Sequence, residues 1–304
     1  MSLNCHSVYH TGRVPCTHES LHSHRCERQM PTKRGHSMSP HPIAPSLVND
    51  FVIHGWVCMR NLLSPSELRV LQAESNVLYN RQSVETIAEQ GCVLDVMTQC
   101  PMRDSDPARV DSNCYLQARA KQLKSKSHED QQFFSSLLFE KLPTIAGQLM
   151  AAHDESQTKT GMFFFNEHYV VKPPRSQVEF RWHRDDDEQL AMCVHRESIH
   201  PYVSAWCALD DVTSLNGALQ FVSLDVPSGD EESFFSEPVT AKAGDVIFFM
   251  SNVWHCSSSN ESDGVRRAFY AQYSCETITA RPNDAAPLSF AIPCRALNSP
   301  RRFS

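Results

Sequence analysis

The spacing of apolar residues along the chain changes near residue 160. Before this point, apolar residues recur at intervals that are typical of amphipathic helices. The clearest helix start is Ser64–Glu67, where serine precedes proline and glutamate follows three positions later, as in a capping box. Other segments in this half are predicted as a second helix over 83–90, a loop over 92–127, a helix over 128–142, an interruption at Pro143 and a short helix over 144–152.

From Gly161 onward the pattern becomes that of strands. Short runs rich in aromatic and β-branched residues alternate with turn residues. The predicted strands are 162–171, 178–183, 202–209, 218–222, 245–250 and 266–274. Several short strands that follow a group of helices predict an α+β fold, with a double-stranded β-helix (jelly-roll or cupin-like) core buttressed by N-terminal and flanking helices.

The first 45 residues have no apolar periodicity. They contain seven of the 15 histidines, three of the 12 cysteines and five of the 18 prolines. This composition predicts a disordered tail over 1–45, followed by a single domain over 46–304. The cysteines and histidines of the tail match no zinc-site spacing, so we assign them no metal.

Composition narrows the class of protein. The chain is 41% hydrophobic and carries a formal net charge of −7, concentrated after the basic tail. An acidic body argues against a nucleic-acid groove, and no apolar run approaches the ~20 residues of a membrane span. The cysteines show no regular spacing, and no signal-peptide pattern opens the chain, which together predict an intracellular, cytoplasmic protein. A mitochondrial location and any oligomeric state stay open.

The candidate chemistry centres on His183, Asp185 and His255. Residues at positions i and i+2 of an extended strand point to the same face, so His183 and Asp185 would lie side by side. Two imidazoles and one carboxylate on one side of a metal form the facial triad of non-haem Fe(II) oxygenases, which leaves coordination positions open. Spacing alone is weak support in a chain with 15 histidines, so the surrounding motifs decide.

Those motifs lie in order along the second half of the chain. They are the Trp182–Asp185 stretch, the Val203–Asp211 strand, Asn216-Gly217-Ala218-Leu219, the Gly244-Asp245 turn with its apolar strand, and the His255–Ala268 run. In order and character they resemble the phytanoyl-CoA dioxygenase family of Fe(II)/2-oxoglutarate-dependent oxygenases, over roughly residues 160–275. The segment Phe51–Val57 likewise resembles the opening strand of that family.

The resemblance implies a set of roles. Fe(II) would be held by His183, Asp185 and His255, and Arg266, 11 positions after His255, would bind the distal carboxylate of 2-oxoglutarate. Weaker matches place three further residues around the cosubstrate: Trp206, Ser257 and Asn166. The family chemistry consumes O2 and 2-oxoglutarate and releases succinate and CO2. Its usual outcome is hydroxylation of a small organic or lipid-like substrate, although related enzymes desaturate their substrates or form rings, so the exact outcome stays open. The loops 188–201 and 225–237 would shape the substrate entrance.

Two other functions are compatible with the same residues. The first is a metal-binding β-helix protein without turnover that serves as a sensor or scaffold. The second is a cupin-like metalloenzyme that uses no 2-oxoglutarate, for which Arg266 would be dispensable. A halogenase is disfavoured because such enzymes replace the carboxylate ligand with a small residue, whereas this chain has Asp185.

Overall fold

The computed structural model of the protein describes residues 43–83, 86–87, 92–96, 110–123, 128–154, 161–227 and 234–294. Nearly all of the predicted tail and most of the helix predicted over 83–90 lie outside these residues. The tail and the domain boundaries therefore stay predictions.

Most of the described helices precede residue 155. They are α1 Pro45–His54, α2 Pro65–Tyr79, α3 Ser112–Leu123, α4 His128–Ser136, α5 Leu142–His153 and the short α6 Asp185–Gln189. A π-helical turn, Leu137–Lys141, joins α4 to α5, and a 3-10 turn covers Arg196–Ser198. None of the described helices has the length and apolar character needed to cross a bilayer.

The described strands form two antiparallel sheets. They are β1 Trp56–Met59, β2 Val93–Asp95, β3 Phe163–Lys172, β4 Phe180–His183, β5 Val203–Ala208, β6 Leu219–Phe221, β7 Val246–Met250, β8 His255–Ser257, β9 Arg266–Ser274 and β10 Ile292–Pro293. The major sheet has the order β1-β7-β5-β9-β3-β10, with β2 also pairing with β3. The minor sheet has the order β4-β8-β6.

Strand β9 shows that the two faces of the major sheet have different neighbours, with helices on one face and the candidate site on the other. Its side chains alternate between two faces. On the outer face, the Tyr273 hydroxyl donates to the carbonyl of Leu138, and Arg267 contacts α2 through Asn76. The inner face presents Arg266 and Tyr270 towards the interior. Helices therefore cover one face of the sheet and the candidate site occupies the other, which agrees with the predicted helix-buttressed β-helix.

The predicted start of α2 is confirmed. The Ser64 hydroxyl accepts a hydrogen bond from the Glu67 backbone N–H at 3.2 Å, and the Glu67 carboxylate accepts one from the Ser64 N–H at 2.6 Å. Both arms of the capping box are present. They satisfy backbone donors that the first turn of a helix otherwise leaves unpaired.

The predicted opening strand over Phe51–Val57 is wrong in its first half. Residues up to His54 belong to α1, and the strand starts only at Trp56. Gly55 ends the helix in the left-handed conformation, with φ 76°, and its N–H donates to the carbonyl of Phe51. A Cβ at Gly55 would lie 2.5 Å from Val253, so only glycine fits this turn.

Two further expectations differ from the structure. The region 92–127, predicted as a loop, contains β2 and the helix α3, while residues 97–109 and 124–127 lie outside the described part. The helix does not stop at Pro143 either. Because proline needs no N–H partner in the first turn, it is accommodated at the start of α5, directly after the π-helical turn.

Candidate metal and cosubstrate site

His183 is the last residue of β4 and pairs across the minor sheet with His255 of β8. Its Nδ1 lies 2.7 Å from the carbonyl oxygen of Arg181. A carbonyl oxygen only accepts, so the proton belongs on Nδ1 and the lone pair on Nε2 is free. This is the tautomer that a metal-binding histidine uses.

His255 has the same arrangement on the neighbouring strand. Its Nδ1 lies 3.0 Å from the carbonyl oxygen of Val253, and its ring centroid lies 4.2 Å from that of His183. The ring is buried, and this burial lowers its pKa to about 4; the neighbouring His183 lowers it further, while the nearby Asp185 acts in the opposite direction. The imidazole is therefore neutral at physiological pH and available as a ligand.

Asp185 lies two residues beyond the end of the predicted strand. The strand ends at His183, and Asp185 is the first residue of α6, so the two are not on one continuous strand as the sequence predicted. Arg184 between them keeps an extended conformation, with φ −117° and ψ 140°. The alternation of side chains therefore persists for these residues, and both point to the same place.

The two oxygens of the Asp185 carboxylate have different surroundings. Oδ2 accepts hydrogen bonds from Ser204 at 2.8 Å, from Gln272 at 3.2 Å and from the hydroxyl of Tyr270. Oδ1 lies 3.9 Å from Nε2 of His183 and 3.5 Å from Nε2 of His255. One oxygen is thus fixed by three donors, and the other faces both free imidazole nitrogens.

These three side chains form a complete donor set. Their ligand atoms all lie within 4.8 Å of one another, and no other trio of histidine, cysteine, aspartate or glutamate in the described ranges forms such a group. Two imidazoles and one carboxylate suit Fe(II) and leave coordination positions open. Hydrogen-bond partners that orient the ligands from behind, as here, are typical of built metal sites.

Arg266 stands at the start of β9 on the inner face of the sheet and is 1% exposed. Its Nη2 donates to the carbonyl of Gly217 at 2.9 Å, while Nη1 is buried and has no hydrogen-bond partner. Burial lowers its pKa to about 10, and no carboxylate in the described part of the chain pairs with it. A buried, unpaired guanidinium N–H is a fit for an incoming carboxylate.

The remaining predicted cosubstrate residues lie around this guanidinium and around the triad. The ring of Trp206, from β5, lies under the Arg266 guanidinium, 5.3 Å from its Cζ to the ring centroid. The buried Ser257 hydroxyl accepts from Nζ of Lys172 at 2.8 Å. The Asn166 amide donates to Gln272 at 3.2 Å, which places it one residue away from Asp185 rather than against it.

Two further arginines, each next to a site residue in the sequence, face away from the triad. Arg184 donates to Asp187 at 2.9 Å and lies over the ring of Trp254. Arg267, next to Arg266, donates to Asp210 at 2.6 Å on the outer face of the sheet.

Sequence reasoning missed four residues of the site, namely Ser204, Tyr270, Gln272 and Lys172. Two of them carry a readable signal: Tyr270 and Gln272 follow Arg266 at even spacing on one strand, so they share its face. Ser204 and Lys172 carry none that we can identify, because their positions depend on which strands become neighbours.

The comparisons with known proteins agree with this geometry. The sequence matches the family model described as phytanoyl-CoA dioxygenase over residues 51–268. The chain belongs to the phytanoyl-CoA dioxygenase family. It is thus an Fe(II)- and 2-oxoglutarate-dependent oxygenase, with Fe(II), 2-oxoglutarate and O2 as cofactor and cosubstrates, and the resemblance read from the motifs is confirmed. A search of curated proteins finds no significant match.

Solved structures share the fold of this phytanoyl-CoA dioxygenase family member. The non-haem α-ketoglutarate-dependent carbocyclase SnoK from nogalamycin biosynthesis is 17% identical, with a TM-score of 0.52 over 76% of this chain and 84% of its own. EctD from S. alaskensis, solved with 2-oxoglutarate and 5-hydroxyectoine, is 17% identical, with a TM-score of 0.52 over 79% of each chain. The epimerase SnoN, in complex with Fe3+ and α-ketoglutarate, is 18% identical, with a TM-score of 0.51 over 82% of this chain and 94% of its own.

Proposed function

We propose that His183, Asp185 and His255 hold Fe(II). The observation that supports this most strongly is the convergence of three free ligand atoms, two Nε2 and one Oδ1, within 4.8 Å of one another. The opposite atom of each side chain is already engaged, by backbone carbonyls for the imidazoles and by three donors for the carboxylate. The three ligand atoms therefore remain available to bind an ion.

Arg266 binds the distal carboxylate of 2-oxoglutarate in this proposal. Its unpartnered Nη1 and its burial support the role, since a carboxylate would complete its hydrogen bonds and neutralise its charge. Trp206 fixes the guanidinium plane from below. Ser257 supplies a hydroxyl beside the same carboxylate, and Asn166 donates its amide near the metal after exchanging its present partner, Gln272.

The division of labour follows from these contacts. When bound, iron and 2-oxoglutarate supply the activation of O2, with release of succinate and CO2. The protein's residues bind and orient the cosubstrate, keep the His255 imidazole neutral and shield the site from bulk water. The substrate is a small organic or lipid-like molecule that becomes hydroxylated. No disulfide joins the eight described cysteines, which is consistent with a reducing, cytoplasmic location.

The first test measures succinate formed from 2-oxoglutarate with added Fe(II). Wild-type protein should show metal-dependent succinate, and His183→Ala should reduce it to background. His153→Ala, which changes a histidine at the end of α5, serves as the matched control and should keep wild-type turnover. Metal-dependent succinate no greater than that of His183→Ala would contradict the proposal and favour a sensor or scaffold.

The second test concerns Arg266. Arg266→Ala should raise the KM for 2-oxoglutarate by about 100-fold, or ~2.7 kcal/mol, because a charge-assisted pair is lost. Retention of full activity would favour a cupin-like enzyme that uses no 2-oxoglutarate. A metabolite screen scored by substrate-stimulated consumption of 2-oxoglutarate would then identify the substrate.

A further inference from the structure

Lys172 is the last residue of β3 and the direct cross-strand partner of Arg266 in β9. Its side chain is fully buried, on the same inner face as Arg266. No carboxylate in the described part of the chain pairs with either cation. Two neighbouring buried cations lower the stability of the folded protein unless a negatively charged group binds beside them.

The hydrogen bonds of Lys172 give it a specific task. Its Nζ donates to the hydroxyl of Ser257 at 2.8 Å, to the carbonyl of Ser257 at 3.1 Å and to the carbonyl of Ser258. These three acceptors use all three ammonium protons. Because the Ser257 oxygen accepts from the ammonium, its own proton is free to be donated to another group.

The backbone of Gly217 lies against both cations, Arg266 and Lys172. Its carbonyl accepts from Nη2 of Arg266 at 2.9 Å. A Cβ at this position would lie 3.1 Å from Nζ of Lys172 and 2.5 Å from the carbonyl oxygen of Ser258. The absence of a side chain therefore lets the backbone lie against both cations, and we call Lys172, Gly217, Ser257 and Arg266 the distal wall.

We propose that Lys172 is a positioning residue for the cosubstrate: its ammonium directs the Ser257 hydroxyl proton towards the distal carboxylate of 2-oxoglutarate and places a second positive charge beside Arg266. This proposal rests on the cosubstrate roles of Arg266 and Ser257 given above. A neutral amine would act in the opposite way, because its lone pair would accept the hydroxyl proton and turn it away from the ligand.

The protonation state of Lys172 changes near neutral pH. Burial lowers its pKa to about 7, and the charge of Arg266 lowers it further. The other groups around it are the thiols of Cys92 and Cys256, whose pKa values burial raises, and the exposed Glu179. Both thiols are neutral at neutral pH. A dianion binds best to the ammonium form, so affinity should be high below this pKa and fall as pH rises through it.

The experiment compares two ligands on Mn(II)-loaded protein without O2, by calorimetric titration. 2-Oxoglutarate and 2-oxopentanoate share the metal-chelating end, but a methyl group replaces the distal carboxylate in 2-oxopentanoate. The ratio of their Kd values thus measures the contribution of the distal wall to the affinity for 2-oxoglutarate. We expect the preference for 2-oxoglutarate to fall by about tenfold between about pH 6 and pH 9, because the ammonium is lost as pH rises through the Lys172 pKa of about 7.

Variants locate the effect. Lys172→Met should weaken 2-oxoglutarate binding by about tenfold at low pH, leave 2-oxopentanoate unchanged and remove the pH dependence. In a Ser257→Ala background, Lys172→Met should have a smaller effect, because the hydroxyl it positions is gone. Lys242→Met is the matched control, since that lysine is 77% exposed, and it should behave as wild type.

A preference that is flat across this pH range in wild type would overturn the proposal, and this measurement needs no folded variant. So would a folded Lys172→Met that keeps the wild-type preference, or one that weakens both ligands equally, as a purely structural role predicts. Wild-type protein that never prefers 2-oxoglutarate over 2-oxopentanoate would instead contradict the role of Arg266, which distinguishes the two failures.

Discussion

At the scale of single residues, the Asp185 carboxylate shows how hydrogen bonds prepare a ligand of the proposed metal site. Three donors from the major sheet hold Oδ2, and Oδ1 is left facing the two imidazoles. A carboxylate held in this way loses little freedom when it binds an ion, so its donors should contribute to metal affinity although none of them touches the metal.

Tyr270→Phe tests this arrangement. It removes the hydroxyl that donates to Asp185 and keeps the ring, so metal affinity should fall by about tenfold or more. Mn(II) titration of the purified protein measures the change. Tyr273→Phe removes a hydroxyl from the other face of the same strand. It should cost about 1 kcal/mol of stability and leave metal affinity unchanged, and equal affinities for both variants would refute the argument.

Gly217 allows a second test at this scale. Gly217→Ala should weaken 2-oxoglutarate binding and lower stability, because its φ of +87° strains any side chain and its Cβ would clash with Ser258. Gly161 has a similar φ of +91°, but no atom lies within 4 Å of the place that a Cβ would occupy. Gly161→Ala should therefore show the backbone cost alone, about 1 kcal/mol, with normal 2-oxoglutarate binding. Calorimetry and thermal unfolding separate the two effects.

Residue identities could be predicted where spacing is local. His183 and Asp185 are two positions apart, and Arg266 follows His255 at a spacing that the family motif supplies. Lys172 could not be predicted, because lysine is rarely buried and its contacts depend on the pairing of β3 with β9. The sequence therefore predicts the residues of the triad and omits the donors behind it.

At the scale of elements, helix and strand bounds were predicted best where neighbouring residues determine them. The capping box started α2 as expected, and β9 has the predicted bounds, Arg266–Ser274. The strand prediction for Phe51–His54 was wrong because a short apolar run is compatible with a strand and with a helix. The helix α3 was predicted as a loop, because its buried face contains Arg119 and such a face looks solvent-exposed in the sequence.

Arg119 joins three elements. Its guanidinium donates to Glu167 of β3 at 2.7 Å and to Glu74 of α2 at 2.6 Å, and its side chain is 2% exposed. The Tyr115 hydroxyl donates to the same Glu167 carboxylate at 2.6 Å. Since the two carboxylates come from different elements, this ion cluster fixes α2 and α3 on the outer face of the sheet.

Arg119→Met should therefore destabilise the protein by about 3–5 kcal/mol, because it leaves the buried Glu167 and the largely buried Glu74 without their cation. Arg175→Met is the control, since Arg175 and its partner Asp263 are 65% and 87% exposed, and it should cost no more than about 1 kcal/mol. Urea unfolding of both variants measures the difference. Similar midpoints would show that the buried cluster contributes little.

At the scale of the whole molecule, the proposed metal site connects the two sheets. The imidazoles come from β4 and β8 of the minor sheet, and the donors to Asp185 come from β5 and β9 of the major sheet. An ion bound here would join both layers. Sequence patterns indicated such strands in the right order, but they could not predict which strands would become neighbours, because pairing is decided by the packed molecule.

Metal loading should therefore stabilise the folded protein. Mn(II) at about 100 times its Kd should add about 2.7 kcal/mol, seen as a rise in Tm over metal-free protein. His183→Ala should lose this rise and keep the metal-free Tm within a few degrees. A rise of equal size in the variant would place the bound ion elsewhere.

The side chains proposed to bind iron and 2-oxoglutarate come from strands of the two sheets or, for Asp185, from the first position of α6. The loops predicted to frame the entrance, 188–201 and 225–237, supply none of them. Mutation of these loops, in evolution or by engineering, could therefore change which compound is oxidised, while the residues that bind iron and 2-oxoglutarate stay the same.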